Sequence, residues 1–195
     1  MDIIFASNNQ GKTREVRAIL EDTDIKIHSL SDLELHIDVV EDGNSFLENA
    51  MIKATTIAGL IRRPVLADDS GLEVDALGGA PGIYSARYGG KGLKDEERMN
   101  LLLSELENVP EEKRTARFVC VMALVLPDGT NHVTRGVCEG TIADAPQGDG
   151  GFGYDPLFRP RGFSDTFGVI SAETKNRISH RRLALQKMRE IIQKV

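Results

Sequence analysis

The chain has few of the features that mark secreted, membrane or metal-cluster proteins. It has two cysteines in 195 residues, Cys120 and Cys138. Both lie in apolar or β-like stretches, too far apart in sequence to make a metal motif. They read as buried free thiols of a reducing, cytoplasmic setting. No uninterrupted apolar run approaches the ~20 residues that cross a bilayer, so no membrane partner is expected. Met1-Asp2-Ile3 shows no basic segment leading into an apolar one, so no secretory leader is expected. A GxxxxGK[ST] phosphate loop, internal repeats, linkers and low-complexity segments are all missing. What remains is the composition of a folded globular protein, 41% hydrophobic and 28% charged. The length suits one large or two-lobed domain with a proper core.

Charge is unevenly spread. Residues 175–195 carry seven Lys and Arg (Lys175, Arg177, Arg181, Arg182, Lys187, Arg189, Lys194) against Glu190, a net of +6. The whole chain is −6, so the other 174 residues carry −12. An acidic body with one basic terminal segment suits a small anionic ligand better than nucleic acid, which favours a basic face across a domain. Part of that basic segment is also explained as a solvated helix face.

Along the chain, Asp2–Ala6 reads as a first strand, followed by the polar loop Ser7-Asn8-Asn9-Gln10-Gly11-Lys12 and a helix from Thr13 to Glu21. Strand, Gly-containing loop and helix in that order offer backbone N–H groups to a phosphate, though turn chemistry explains the same residues. Glu41-Asp42-Gly43 is a turn, and Ser45 with Glu48 matches a capping box. An apolar stripe then runs to Ile61, broken by Glu48, Asn49 and Lys53. Leu72–Leu77 reads as a strand, Gly78–Gly82 as a loop, and Asp95–Leu106 as an amphipathic helix. Thr115–Leu126 reads as a central strand with His132–Cys138 returning antiparallel. Residues 179–194 read as a terminal helix with Leu183, Leu185, Met188, Ile191 and Ile192 inward.

The most informative run is Leu66-Ala67-Asp68-Asp69-Ser70-Gly71. It places two acids at what reads as the C-terminal end of a buried strand, where α/β ligand crevices form. Charged groups are costly to bury unless paired or metal-bound, so the pair is either a Mg²⁺-and-water site or a solvated turn. Gly150-Gly151-Phe152-Gly153-Tyr154-Asp155-Pro156 sets two aromatics among glycines, fit for stacking a base or for a tight turn with two core aromatics. Lys175 and Ser179-His180-Arg181 gather cations and donors near a helix start, as phosphate sites do.

These segments together resemble the inosine triphosphate pyrophosphatase family, over nearly the whole chain from Ser7 to about Leu185. Further matches are Ser45-Phe46-Leu47-Glu48-Asn49-Ala50 with Lys53, and Pro81-Gly82-Ile83-Tyr84-Ser85-Ala86-Arg87-Tyr88. So is Lys175-Asn176-Arg177-Ile178-Ser179-His180-Arg181. The resemblance implies a single domain over 1–195, a two-lobed mixed α/β fold with a long central mixed sheet and a nucleotide cleft between lobes. It implies a homodimer, Mg²⁺ dependence, and hydrolysis of noncanonical purine nucleoside triphosphates (ITP, dITP, XTP) to monophosphate plus pyrophosphate.

Carried over position by position, Ser7, Asn8, Asn9, Gln10, Gly11 and Lys12 form the triphosphate loop, with Lys12 and Lys53 offsetting charge. Glu41 and Asp69 hold Mg²⁺, and Asp69 accepts the proton of the attacking water. Ser70, Phe152, Gly153, Tyr154, Asp155, Lys175, His180 and Arg181 contact substrate, and Asp68 supports the site or a second metal. Two other classes stay in view. A non-catalytic purine nucleotide sensor would use the same residues, although binding alone needs no base. A nucleic-acid binder would use the basic terminal helix, against which its apolar stripe and the acidic remainder argue.

Overall fold

A computed structural model describes residues 1–194. By compactness the chain forms two units. The first holds residues 1–69, 120–136 and 180 onward, the second 70–119 and 137–179. The strands are β1 (Asp2–Phe5), β2 (Lys26–Ser29), β3 (Val65–Val74), β4 (Thr115–Val125), β5 (Asn131–Ile142) and β6 (Phe158–Pro160). The helices are α1 (Gln10–Leu20), α2 (Phe46–Ile61), α3 (Asp95–Glu105), α4 (Ala172–Ile178) and α5 (His180–Ile192). The strands form one sheet in the order β2-β1-β3-β4-β5-β6. It is mixed: β1 pairs in parallel with β2 and β3, whereas β5 and β6 are antiparallel. β4 and β5 are joined by a short turn closed by Leu126 N–H to the Thr130 carbonyl at 2.8 Å, too short for anything but a hairpin.

In the first unit, Ile3, Phe5 and Leu66 of β1 and β3 pack with Val16 and Ile19 of α1 and with Ala184, Leu185 and Met188 of α5. Each large side chain buried this way contributes about 1.5–3 kcal/mol. α5 lies close against β5 in this unit. A Cβ on Gly136 would sit 2.1 Å from the His180 carbonyl oxygen and 2.4 Å from the Ala184 nitrogen. Both are backbone atoms of a packed helix, so neither yields cheaply. Gly136→Ala is expected to destabilise the protein by about 1–3 kcal/mol, read as a lowered denaturation midpoint. The second unit has its own core, in which the rings of Phe118, Phe158 and Phe167 meet with centroids 4.7 to 6.2 Å apart.

Four sequence expectations are corrected. β3 runs unbroken from Val65 to Val74, so Asp68-Asp69 is neither a turn nor a strand end, and the expected strand Leu72–Leu77 is its last part followed by a 3₁₀ turn, Asp75–Leu77. The acids tolerate mid-strand burial because cations meet them there. The N-terminal edge of α1 lies at Gln10 rather than Thr13, because Asn9 caps it: its Oδ1 accepts the Lys12 N–H at 3.1 Å. The capping box at α2 is incomplete. Ser45 Oγ accepts from Glu48 N–H, but the Glu48 carboxylate takes the Asn44 N–H at 2.6 Å rather than that of Ser45. The expected terminal helix over 179–194 is α5, preceded by the separate short helix α4, but Leu183 on it is exposed rather than inward. Among the described residues no helix is long and apolar enough to cross a membrane. Cys120 and Cys138 are free and buried, and burial pushes each thiol up to about 12, which leaves both inert.

Candidate active site

In the first unit the register of the parallel strands sets the chemistry. Phe5 of β1 stands opposite Leu66 of β3, and β1 then ends while β3 continues. The residues past Leu66 therefore run level with the loop leaving β1. In that loop Ser7 Oγ accepts the Asn9 N–H at 3.2 Å, and Asn9 starts α1. Asn8, Asn9 and Gln10 are exposed, while Ser7 and Gly11 are buried. Among the described residues, the side chains of Asn8 and Gln10 make long contacts, to Asp38 at 3.5 Å and Ser31 at 3.4 Å.

Successive residues of a strand point to opposite faces, and this separates the two acids. Asp68 is fully buried and faces cations. Lys12 Nζ lies 3.2 and 3.1 Å from its two carboxylate oxygens, and Arg181 Nη2 donates to Oδ2 at 3.1 Å. Burial alone would raise this carboxyl, but Lys12, then Arg181 and Lys53, hold it well below the usual carboxylate range. Arg181 is 1% exposed, with its other guanidinium arm on Glu15, so its guanidinium is a fixed member of the cluster. His180, the first residue of α5, is also buried.

Asp69 has a different environment. Its Oδ2 accepts from Asn49 Nδ2 at 3.1 Å. Burial pushes its carboxyl up, and although Lys12, Asn49 and Lys53 oppose this, the like charge of Glu41 adds to it. Lys53 Nζ donates to the Asp68 carbonyl at 2.9 Å and pairs with Glu41 Oε2 at 3.1 Å. The cluster thus holds three cations (Lys12, Lys53, Arg181) and four carboxylates (Glu15, Glu41, Asp68, Asp69), one negative charge in excess. A polyphosphate would enter against that charge unless a cation came with it. Glu41 and Asp69 offer hard oxygen donors and repel each other, which a divalent cation would relieve. Among the described residues no group of three or more His, Cys, Asp and Glu is placed to enclose a metal. Two carboxylates completed by phosphate oxygens and water are what Mg²⁺ favours over a full protein cage.

In the second unit, Lys175 of α4 and Asp155 are both buried and 2.5 Å apart. Asp155 also accepts the Phe152 N–H at 2.8 Å, and the Lys175 ammonium lies 4.8 Å from the centre of the Phe152 ring. The Gly153 N–H is held by Asp95 at 2.9 Å. Tyr154 is buried, its hydroxyl donating to the Ser85 carbonyl at 3.0 Å, so of the two aromatics Phe152 is the one that is partly exposed. Gly151 has φ +75°, and a Cβ there would fall 2.0 Å from Asp155 Oδ2, so glycine is required for the loop to wrap that carboxylate. Ser70 is half-buried on β3 in this unit.

Of the residues singled out from sequence, Ser7, Lys12, Glu41, Lys53, Asp68, Asp69, His180 and Arg181 fall in the first unit. Ser70, Phe152 to Asp155 and Lys175 fall in the second. Two residues that sequence reasoning left without a role prove central to the first cluster, Glu15 and Asn49. The available signal was helical spacing: Glu15 is three residues after Lys12, and Asn49 four before Lys53, so each shares a face with a lysine already suspected.

A parallel β-α-β start, a polar loop feeding a helix, and lysines facing paired carboxylates define a phosphate-handling protein of the mixed α/β class. The chain belongs to the Ham1 family, whose model matches residues 3–191. It is 46% identical over 189 residues to the dITP/XTP pyrophosphatase of Geobacillus kaustophilus, covering 97% of this chain and 93% of that one. Among solved structures it is similar to the Ham1 protein of Staphylococcus aureus, with a TM-score of 0.87 and 42% identity over 99% of this chain and 98% of that one. The HAM1 protein of Coxiella burnetii gives a TM-score of 0.89 with 38% identity, over the full length of both.

Proposed function

We propose that this chain hydrolyses dITP, ITP and XTP to the monophosphate and pyrophosphate, with Mg²⁺ held by Glu41 and Asp69 and with Asp69 as the base. The observation that carries this reading is Asp69 itself. It is a carboxylate pushed above its ordinary value by burial, held by Asn49 and set beside two lysines and a second acid, where it can meet a bound water. The name carried by the Geobacillus relative agrees. Bound Mg²⁺ would offset polyphosphate charge and help orient water.

Ser7, Asn8, Asn9, Gln10 and Gly11 present the first turn of α1 to the phosphates, where backbone N–H groups and the helix dipole favour an anion. Lys12 and Lys53 add charge; an ammonium has three donors, so pairing with Asp68 or Glu41 leaves capacity for a phosphate oxygen. Asp69 takes the proton from the attacking water. Such reactions need little covalent help, so positioning and electrostatics supply most of the rate. Neither inert cysteine has a role as nucleophile.

The base is assigned to Phe152, Gly153, Tyr154, Asp155 and Lys175, with Ser70, His180 and Arg181 completing the substrate contacts. Phe152 supplies the stacking face, worth about 1–3 kcal/mol. A donor from His180, Arg181 or a backbone N–H meets the 6-keto group of inosine and xanthosine, and would oppose the 6-amino donor of adenine. Such a mismatch discriminates by up to ~10⁴. Guanine shares the keto group, so its exclusion acts on the 2-amino group through pocket shape. The functional form is a homodimer, acting in the cytoplasm.

A substrate panel tests the reading. With Mg²⁺ present, kcat/KM for dITP, ITP and XTP should exceed that for ATP by about 10²-fold or more, with GTP also poor. Equal rates on ATP and dITP would refute the assigned specificity, and tight ITP binding without turnover would favour a sensor.

A further inference from the structure

We infer that Asn49 is a positioning residue that clamps the Glu41 loop to Asp69 and so sets the spacing of the two carboxylates. The inference rests on the proposed roles of Glu41 and Asp69. Asn49 is 1% exposed, in the first turns of α2, and both ends of its amide are engaged. Oδ1 accepts the Gly43 N–H at 2.9 Å, and Nδ2 donates to Asp69 Oδ2 at 3.1 Å. The amide has one orientation that works. Flipped, its NH₂ would face the Gly43 N–H and its oxygen would face a carboxylate, and both contacts would repel.

Gly43 lies two residues after Glu41, so the amide ties the backbone beside one acid to the side chain of the other. The approach is close enough to require glycine. A Cβ on Gly43 would lie 2.8 Å from Asn49 Oδ1 and 2.7 Å from Glu48 Cβ. The same segment is tied down again where Asn44 N–H meets Glu48. One turn along α2, Lys53 pairs with Glu41 and with the Asp68 carbonyl. α2 therefore holds the pair at both ends, with a charged contact from Lys53 and a neutral, directional one from Asn49.

Asparagine is the residue type this needs. Leucine removes donor and acceptor together. Aspartate keeps the acceptor for Gly43, loses the donor to Asp69 and sets a like charge against it. The two variants thus separate the halves of the clamp.

The test compares wild type, Asn49→Leu and Asn49→Asp by kinetics on dITP, by Mg²⁺ titration of turnover, and by amide exchange of Gly43 in the metal-free protein. Asn49→Leu should lower kcat by about 10²-fold with KM held within a few-fold, the cost of misplacing reacting groups by about an ångström. Its half-saturating Mg²⁺ should rise, and the Gly43 amide should exchange about tenfold faster or more. Asn49→Asp should lower kcat similarly while Gly43 stays protected, which a general loss of stability would not produce. The clamp is overturned if both variants keep kcat within a few-fold of wild type, or if Gly43 exchanges alike in wild type and Asn49→Leu. A wild-type protein that releases no pyrophosphate refutes the functional reading instead, and Gly43 exchange then still decides whether the clamp exists.

Discussion

Asp69→Asn should lower dITP turnover by about 10³-fold or more while KM and the melting temperature change little. The substitution is isosteric, and the new amide can turn its oxygen toward Asn49 Nδ2, so the contact at 3.1 Å survives. What is lost is the group able to take a proton from water and one of the two proposed metal oxygens. Lys12, Lys53 and the loop before α1, the proposed triphosphate contacts, remain in place, so the loss falls on kcat. Steady-state kinetics with a thermal melt of the same preparation checks this. Near-normal turnover would remove Asp69 from the role of base, and a collapse of the melt would make the residue structural.

The neighbouring acid should behave in the opposite way. Asp68→Asn should cost stability first, by about 3–5 kcal/mol, because Lys12 and the buried Arg181 lose the charge that compensates them. For a chain of this size that corresponds to a melting temperature lower by on the order of 10 °C. The pH dependence follows from the direction of the shift. The folded carboxyl lies below its ordinary value, so its stabilisation is complete above an unfolded pKa of about 4 and is lost as pH falls through the folded value. The gap between wild type and variant should therefore be full at neutral pH and narrow under strongly acidic conditions. A constant gap would place the loss in packing rather than charge. Adjacent in sequence, the two aspartates differ because the strand's pleat turns one toward α1 and α5 and the other toward α2.

That separation shows what the sequence could and could not reveal. Two acids after an apolar run fit a ligand site or a turn, and the strand, loop and helix order before them fits a phosphate loop or ordinary turn chemistry. A local reading places the acids in a turn, because Asp, Ser and Gly favour turns and burying charge is costly. Lys12, Arg181 and Lys53 meet that cost from distant parts of the chain, so no local window contains the reason β3 continues. The same limit applies to α5. Its hydrophobic spacing and its start near Ser179 are visible, but its close approach to β5, where Gly136 admits the backbone of His180 and Ala184, is not. Lys53 and Asn49 read as polar breaks in an apolar stripe until the Asp68 carbonyl and Glu41 are placed beside the one, and Gly43 and Asp69 beside the other. In the second unit, Phe152 and Tyr154 look alike in sequence. The Ser85 carbonyl holds Tyr154 in the core, while Phe152 stays partly exposed.

The central chemical claim is which anhydride bond breaks. Phosphorus NMR of dITP turned over by the wild-type protein in Mg²⁺, with a chelated control, reads it directly. The expected result is pyrophosphate and dIMP in equal amounts from the first turnover, with no reaction once the metal is removed. Orthophosphate with dIDP as the first products would contradict it.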